Sequence, residues 1–198
     1  MNHLRLTSIL PDLVRIGLIV YGSLDVMSGG NLYDRMLVEH LQRENHVVEV
    51  ISLPKRGYAM DLLENVSPSL KRRLSDSSLA VILQDELAHP SLFRINRNAS
   101  AKLVSIVHHL RSSEDRAPWQ NKLYRQVEKA YLETIDAFVF NSETTCKSVE
   151  SLLQKKTRSI IATPGGDRLT GSKEVTTDLV ERRARAKGSL RLLFLGNL

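Results

Sequence analysis

The sequence predicts an α/β fold on a doubly wound parallel sheet, and three observations carry that expectation. Short runs rich in β-branched residues and leucine recur along the chain. Longer stretches of helical periodicity separate them. The runs are almost continuously apolar, the pattern of strands covered on both faces.

The first run, 15–21 ("RIGLIVY"), leads into "GSLDVMSGG", and a helix follows from Gly30. In that helix Leu32, Met36, Leu37 and Leu41 form an apolar stripe, which leaves Asp34, Arg35, Glu39 and Gln42 off it. A glycine pair opening a helix lets backbone N–H groups approach an anion, and the helix dipole adds positive charge there. Gly29 and Gly30 meet that need, and they suit a tight turn with positive φ or close packing equally well. The second strand is expected at 47–53. A short helix at 68–74 ("PSLKRRL") combines three cations with leucines, which fits either a solvated basic face or a seat on an anionic membrane.

A third strand is expected at 79–84, and "QDELAHP" leaves its carboxyl end. There Asp85 and Glu86 could take a proton or hold acceptor hydroxyls, and carboxylates in such a position also cap the next helix. The fourth strand, 102–107, ends at His108 and His109. Open α/β sheets bind ligands at that edge, so one histidine is a candidate ligand group and the other a packed one. Adjacent residues of an extended chain point to opposite faces, which disfavours a histidine metal pair. A long helix is expected at 118–136, with Trp119, Leu123, Val127, Tyr131 and Ile135 recurring every four positions. The fifth strand is 137–140. A helix capped by Ser142 or Thr144 carries Val149, Leu152 and Leu153, and a sixth strand lies at 158–163.

Beyond Pro164 core periodicity is lost. The expected organisation is one domain over 1–168, a charged linker over 169–188, and over 189–198 ("SLRLLFLGNL") the first strand of a second domain. Apolar residues make up 42% and charged residues 25% of the 198, ordinary for a globular protein and too apolar for a disordered one. The net charge of +6 and pI near 9.6 suit an anionic partner. Nucleic acid is not expected, since aromatics are not interleaved with the basic runs. Cys146 is the only cysteine, so no internal disulfide forms, and no Cys/His cluster has zinc-ligand spacing. Arg5, Asp12 and Arg15 interrupt the early apolar run, and nothing approaches the roughly 18 apolar residues of a membrane span. A cytoplasmic protein follows, with the inner membrane face as a peripheral contact. No cofactor and no metal are expected. The spacing of Gly22, Gly29 and Gly30 is not that of a dinucleotide fingerprint, and no phosphate-binding P-loop motif occurs.

The segment "SGGNLYDRMLVEHLQRENHVVEVISLP" resembles the first strand-loop-helix-strand unit of the group 1 retaining glycosyltransferases. "VSIVHHL", "DAFVFNSETT", "IIATPGGDR" and "LRLLFLGNL" resemble later segments of that family in the same order. The resemblance implies a Rossmann-like domain, the N-terminal half of a GT-B architecture. It implies transfer of a sugar from a nucleotide-diphosphate donor to an acceptor, with retention and without metal. Gly29, Gly30 and Gly196 would then approach donor phosphates, and His108 would face the transferred sugar. Ser142, Thr144, Gly165, Gly166, Asp167, His109 and Glu86 would line the cleft or hold the acceptor, with the family's usual Asn replaced in the turn before Asp167. The family's cationic pair and paired glutamates belong to its C-terminal domain, the missing partner on this reading, so these 198 residues alone are not expected to turn over. The alternative is a noncatalytic Rossmann-like module that binds a phosphorylated metabolite or a partner protein.

Overall fold

The computed structural model describes residues 13–165 together with residues 181, 182, 184 and 185. Two compact units divide the chain, Met1–Thr163 and Pro164–Leu198. In the second, Arg185 and Glu181 form a 3.1 Å ion pair one helical turn apart. All that follows concerns the first unit.

Six strands form one wholly parallel sheet: β1 (Arg15–Tyr21), β2 (Val47–Leu53), β3 (Val81–Asp85), β4 (Lys102–Val107), β5 (Ala137–Phe140) and β6 (Ser159–Ile161). Their order is β2-β1-β3-β4-β5-β6, a Rossmann-like α/β arrangement. The helices between them are α1 (Gly29–Arg43), α2 (Tyr58–Asp61), α3 (Pro68–Leu74), α4 (His89–Leu92), α5 (Pro118–Leu132) and α6 (Glu143–Leu153). Because side chains alternate across a strand, β1 feeds two cores. Ile16, Leu18 and Val20 join Leu83, Ile106 and the α1 residue Val38 on one face. Ile19 joins Ile51, Ile82 and Phe140 on the other, under Leu74, Leu92, Tyr131, Leu132 and Leu152 from α3, α4, α5 and α6.

Coverage on both faces holds for the inner strands and fails at the edges. Val47 and Val50 of β2 are exposed, as are Ile160 and Ile161 of β6. Each of these strands has a single sheet neighbour and lies at the limit of the helical layers. The third strand starts at Val81, two residues later than expected, because Leu79 closes a turn on the Asp76 carbonyl.

Two helices are rotated from their expected faces. In α1 the buried residues are Asp34 and Val38, while Met36 is exposed. Positions 30, 34, 37, 38 and 41 make a regular inner face, and a polar residue occupies its rim end. In α5 the buried residues are Val127, Glu128, Tyr131 and Leu132, with Trp119 and Leu123 exposed. A strict four-residue spacing drifts about 40° per step on a 3.6-residue helix, so it cannot keep to one face over four steps.

Candidate functional site

The strand order reverses direction at β1. The chain leaves β1 through α1 toward β2, and the next strand, β3, lies on β1's other side. Such a switch point opens a crevice at the carboxyl ends of the strands. Gly22 leaves β1 in a left-handed conformation, φ 67°, with its N–H on the Leu53 carbonyl at 2.9 Å. Asn31 then ties the loop down by donating from Nδ2 to the Val26 and Ser23 carbonyls at 3.0 and 3.3 Å. Ser28 caps α1, its Oγ accepting from the Asn31 N–H at 3.1 Å.

Gly29 and Gly30 are the first two residues of α1, and neither has positive φ. Close approach is what Gly30 provides. A Cβ there would lie 3.4 Å from Cδ2 of His108, whereas one at Gly29 would meet nothing within 4 Å. His108, directly after β4, also meets the Tyr33 ring edge-on at 5.2 Å. Tyr33 donates its hydroxyl proton to the Ala162 carbonyl at 3.0 Å.

Beneath Gly30, Nε2 of His108 lies 3.5 Å from Oδ1 of Asp34. Asp34 is wholly buried, and neither of its carboxylate oxygens has a hydrogen-bond partner. Asp85, the last residue of β3, completes the group while its Oδ1 accepts from the Leu87 N–H at 3.0 Å. Burial first, then the Asp34 carboxylate, pushes Asp85 up to about 7 against the opposing pull of the Leu87 hydrogen bond. For His108 burial acts downward, and the carboxylates of Asp34, Asp85 and Glu86 outweigh it and raise the imidazole above its ordinary value.

The same rim holds a cavity of about 380 Å³, lined by Ser28, Asn31, Lys55, Tyr58, Asp85 and Arg111 among others. Arg111 is fixed by two rings, its guanidinium carbon 5.3 Å from the Tyr58 centroid and 5.0 Å from that of Tyr124. Two cations and the start of a helix therefore border one concave space, an arrangement suited to phosphate.

Of the expected site residues, the fold brings together Gly29, Gly30 and His108. Glu86 does not line the cleft. It is 1% exposed, with His89 and Glu128 around it, and the preceding Asp85 lines the cavity instead. His109 turns to Glu114, with Nε2 to Oε1 at 3.1 Å. Ser142 spends its hydroxyl capping α6, accepting from the Thr145 N–H at 3.2 Å. Thr144 borders a separate cavity with Arg125 and Lys147. Gly165 is exposed irregular backbone, and Gly166, Asp167, Gly196 and the 189–198 strand lie outside the described residues. In the 68–74 segment Leu70 and Leu74 are buried and Arg73 bridges to Glu49 at 2.8 Å, which consumes part of the basic face. No described helix is long and apolar enough to cross a membrane.

Sequence reasoning passed over Asp34, Lys55, Tyr58 and Arg111. For Asp34 a signal existed, since it follows Gly30 by four residues and so shares its helical face. Comparison with family models gives no match, and no curated protein matches the chain. The fold and the rim geometry establish a Rossmann-like α/β domain with a charged cleft at its switch point.

Proposed function

We propose that the chain is the acceptor-side, N-terminal part of a retaining glycosyltransferase that uses a sugar nucleotide. The observation that carries this reading is the switch-point cavity, where Lys55 and Arg111 border the capped start of α1. In this reading Arg111 and the α1 amides hold phosphate oxygens, and His108 stands at the rim beside the transferred sugar. The ordered resemblance of five segments supports sugar transfer over other uses of the cleft. The test is transfer or hydrolysis with a panel of sugar nucleotides by the complete gene product. Turnover that His108→Ala lowers by at least about 100-fold supports the reading. No turnover with any donor, alongside retained binding of phosphorylated ligands, replaces it with the noncatalytic binding module.

A further inference from the structure

We infer that Asp34, Asp85 and His108 form a binding site for one divalent cation, Zn²⁺ by preference, with a fourth coordination position facing the rim cavity. Three elements converge to make it: α1 supplies Asp34, the end of β3 supplies Asp85, and the residue after β4 supplies His108. One ligand atom from each lies within 4.8 Å of the other two.

The spacing is informative. At 3.5 Å, Nε2 of His108 and Oδ1 of Asp34 are farther apart than the roughly 2.9 Å of a formed hydrogen bond. Bonds of about 2.0–2.2 Å at a tetrahedral angle hold two ligand atoms about 3.3–3.6 Å apart. The observed gap is that of two donors on one ion.

Satisfaction of the buried groups points the same way. Asp34 has 0% exposure, both its oxygens lack hydrogen-bond partners, and so does His108 Nε2. Buried polar atoms are rarely left so, and a 3.5 Å contact between Asp34 Oδ1 and His108 Nε2 leaves both able to take a ligand. Once binding has displaced their protons, two carboxylates with a neutral imidazole carry charge −2, which a divalent ion cancels. Two oxygens and one nitrogen, with no thiolate, select zinc or manganese over copper(I). The Leu87 N–H on Asp85 Oδ1 orients that carboxylate, as hydrogen bonds around metal ligands do. Asp85 lines the cavity and His108 is 16% exposed at its side chain, so an ion has a route in.

A second trio, Glu86, His89 and Glu128, has the same residue types within the same distance. Its Glu86 oxygens also lack hydrogen-bond partners, but its histidine has both ring nitrogens engaged, by the Glu86 carbonyl and by the Tyr58 hydroxyl, and none of the three residues lines the cavity. The site is therefore at the rim. It competes with the sugar-transfer reading for His108, since the family resemblance implies metal-free chemistry.

The test uses the 198-residue chain, stripped with EDTA, and metal alone. Calorimetric titration with ZnCl₂ is expected to show one ion per chain, with affinity reduced at least about 10-fold in Asp34→Asn and in His108→Ala and unchanged in Glu128→Gln. Titration of the unaltered chain with Co²⁺ gives the visible bands of a tetrahedral ion, a readout that stands even if a variant fails to fold. Absence of binding, binding indifferent to Asp34→Asn in a folded variant, or loss of binding in Glu128→Gln alone overturns the proposal. No sugar nucleotide is present, so failure of the metal site leaves the transfer reading standing, whereas confirmed binding through His108 withdraws that side chain from the sugar.

Discussion

Two acid-and-histidine clusters lie one residue apart in the chain and differ in how they are completed. Asp85 belongs to the rim cluster with Asp34 and His108, and Glu86 to the interior cluster with His89 and Glu128. The interior cluster is tied down through His89 and Glu128, although both Glu86 oxygens lack hydrogen-bond partners. His89 Nδ1 donates to the Glu86 carbonyl at 3.0 Å, Nε2 lies 3.3 Å from the Tyr58 hydroxyl, and the Ser112 N–H donates to both Glu128 oxygens. Glu86 itself is held by charge, its Oε1 3.0 Å from His89 Nδ1. At the rim no such network surrounds Asp34. The contrast separates a group of residues that fastens α4 and α5 to the sheet from one left open to whatever enters the cleft.

The largest effect expected is on stability. His89→Ala removes the centre of the interior cluster and leaves two buried carboxylates without it, costing about 3–5 kcal/mol in urea denaturation. His108→Ala, at the partly exposed rim, is expected to cost about 1–2 kcal/mol. Equal costs would erase the distinction. Arg111 touches both regions, packing on Tyr58 and lining the cavity. Arg111→Ala should weaken binding of a nucleoside diphosphate by roughly 10- to 100-fold, the value of a hydrogen bond to a charged group, measured by calorimetry.

The interior cluster should also show itself in a pH series run in EDTA. Burial first, then the Glu86 charge, raises Glu128 above its ordinary 4.5. Burial acts downward on His89, but Glu86 and Glu128 raise it on balance above 6.5. Both shifts mean that the folded chain keeps protons the unfolded chain releases. This cluster's contribution to stability is therefore full below pH 4.5 and falls with rising pH, first above 4.5 and again above 6.5. The slope reaches at most about 1.4 kcal/mol per pH unit for each proton, and Glu128→Gln should flatten its lower part. The smallest effect belongs to the rim's scaffold. Ser142→Ala removes the α6 cap and loosens Thr145, whose hydroxyl donates to the His108 carbonyl at 3.3 Å. A loss of about 1 kcal/mol is expected, with the pH profile unchanged.

Much of the fold was legible. β1, β2, β4, β5 and α3 begin and end where the apolar runs and the expected 68–74 helix place them. The site was legible only in outline. Gly30 and His108 meet because a helix opening and a strand end share one rim, which strand order alone ensures. Asp34 escaped because an acidic side chain reads as the solvent face of an amphipathic helix, and its place beside His108, 74 positions away, is set by the fold alone. Between Asp85 and Glu86 the sequence offers no choice, since neighbouring residues leaving a strand diverge and the turn that follows decides which one reaches the cavity. Arg111 gave no local signal, because its two aromatic supports come from α2 and α5.

The place of β1 between β2 and β3 fixes when the cleft can exist. Its walls come from the segments after β1, β2, β3 and β4, and Arg111 is the last of them to leave the ribosome. A nascent chain that has paired β1 with β2 and β3 still lacks that cation, so ligand cannot stabilise it. Recognition thus arrives late in assembly and favours molecules whose fourth strand has already docked.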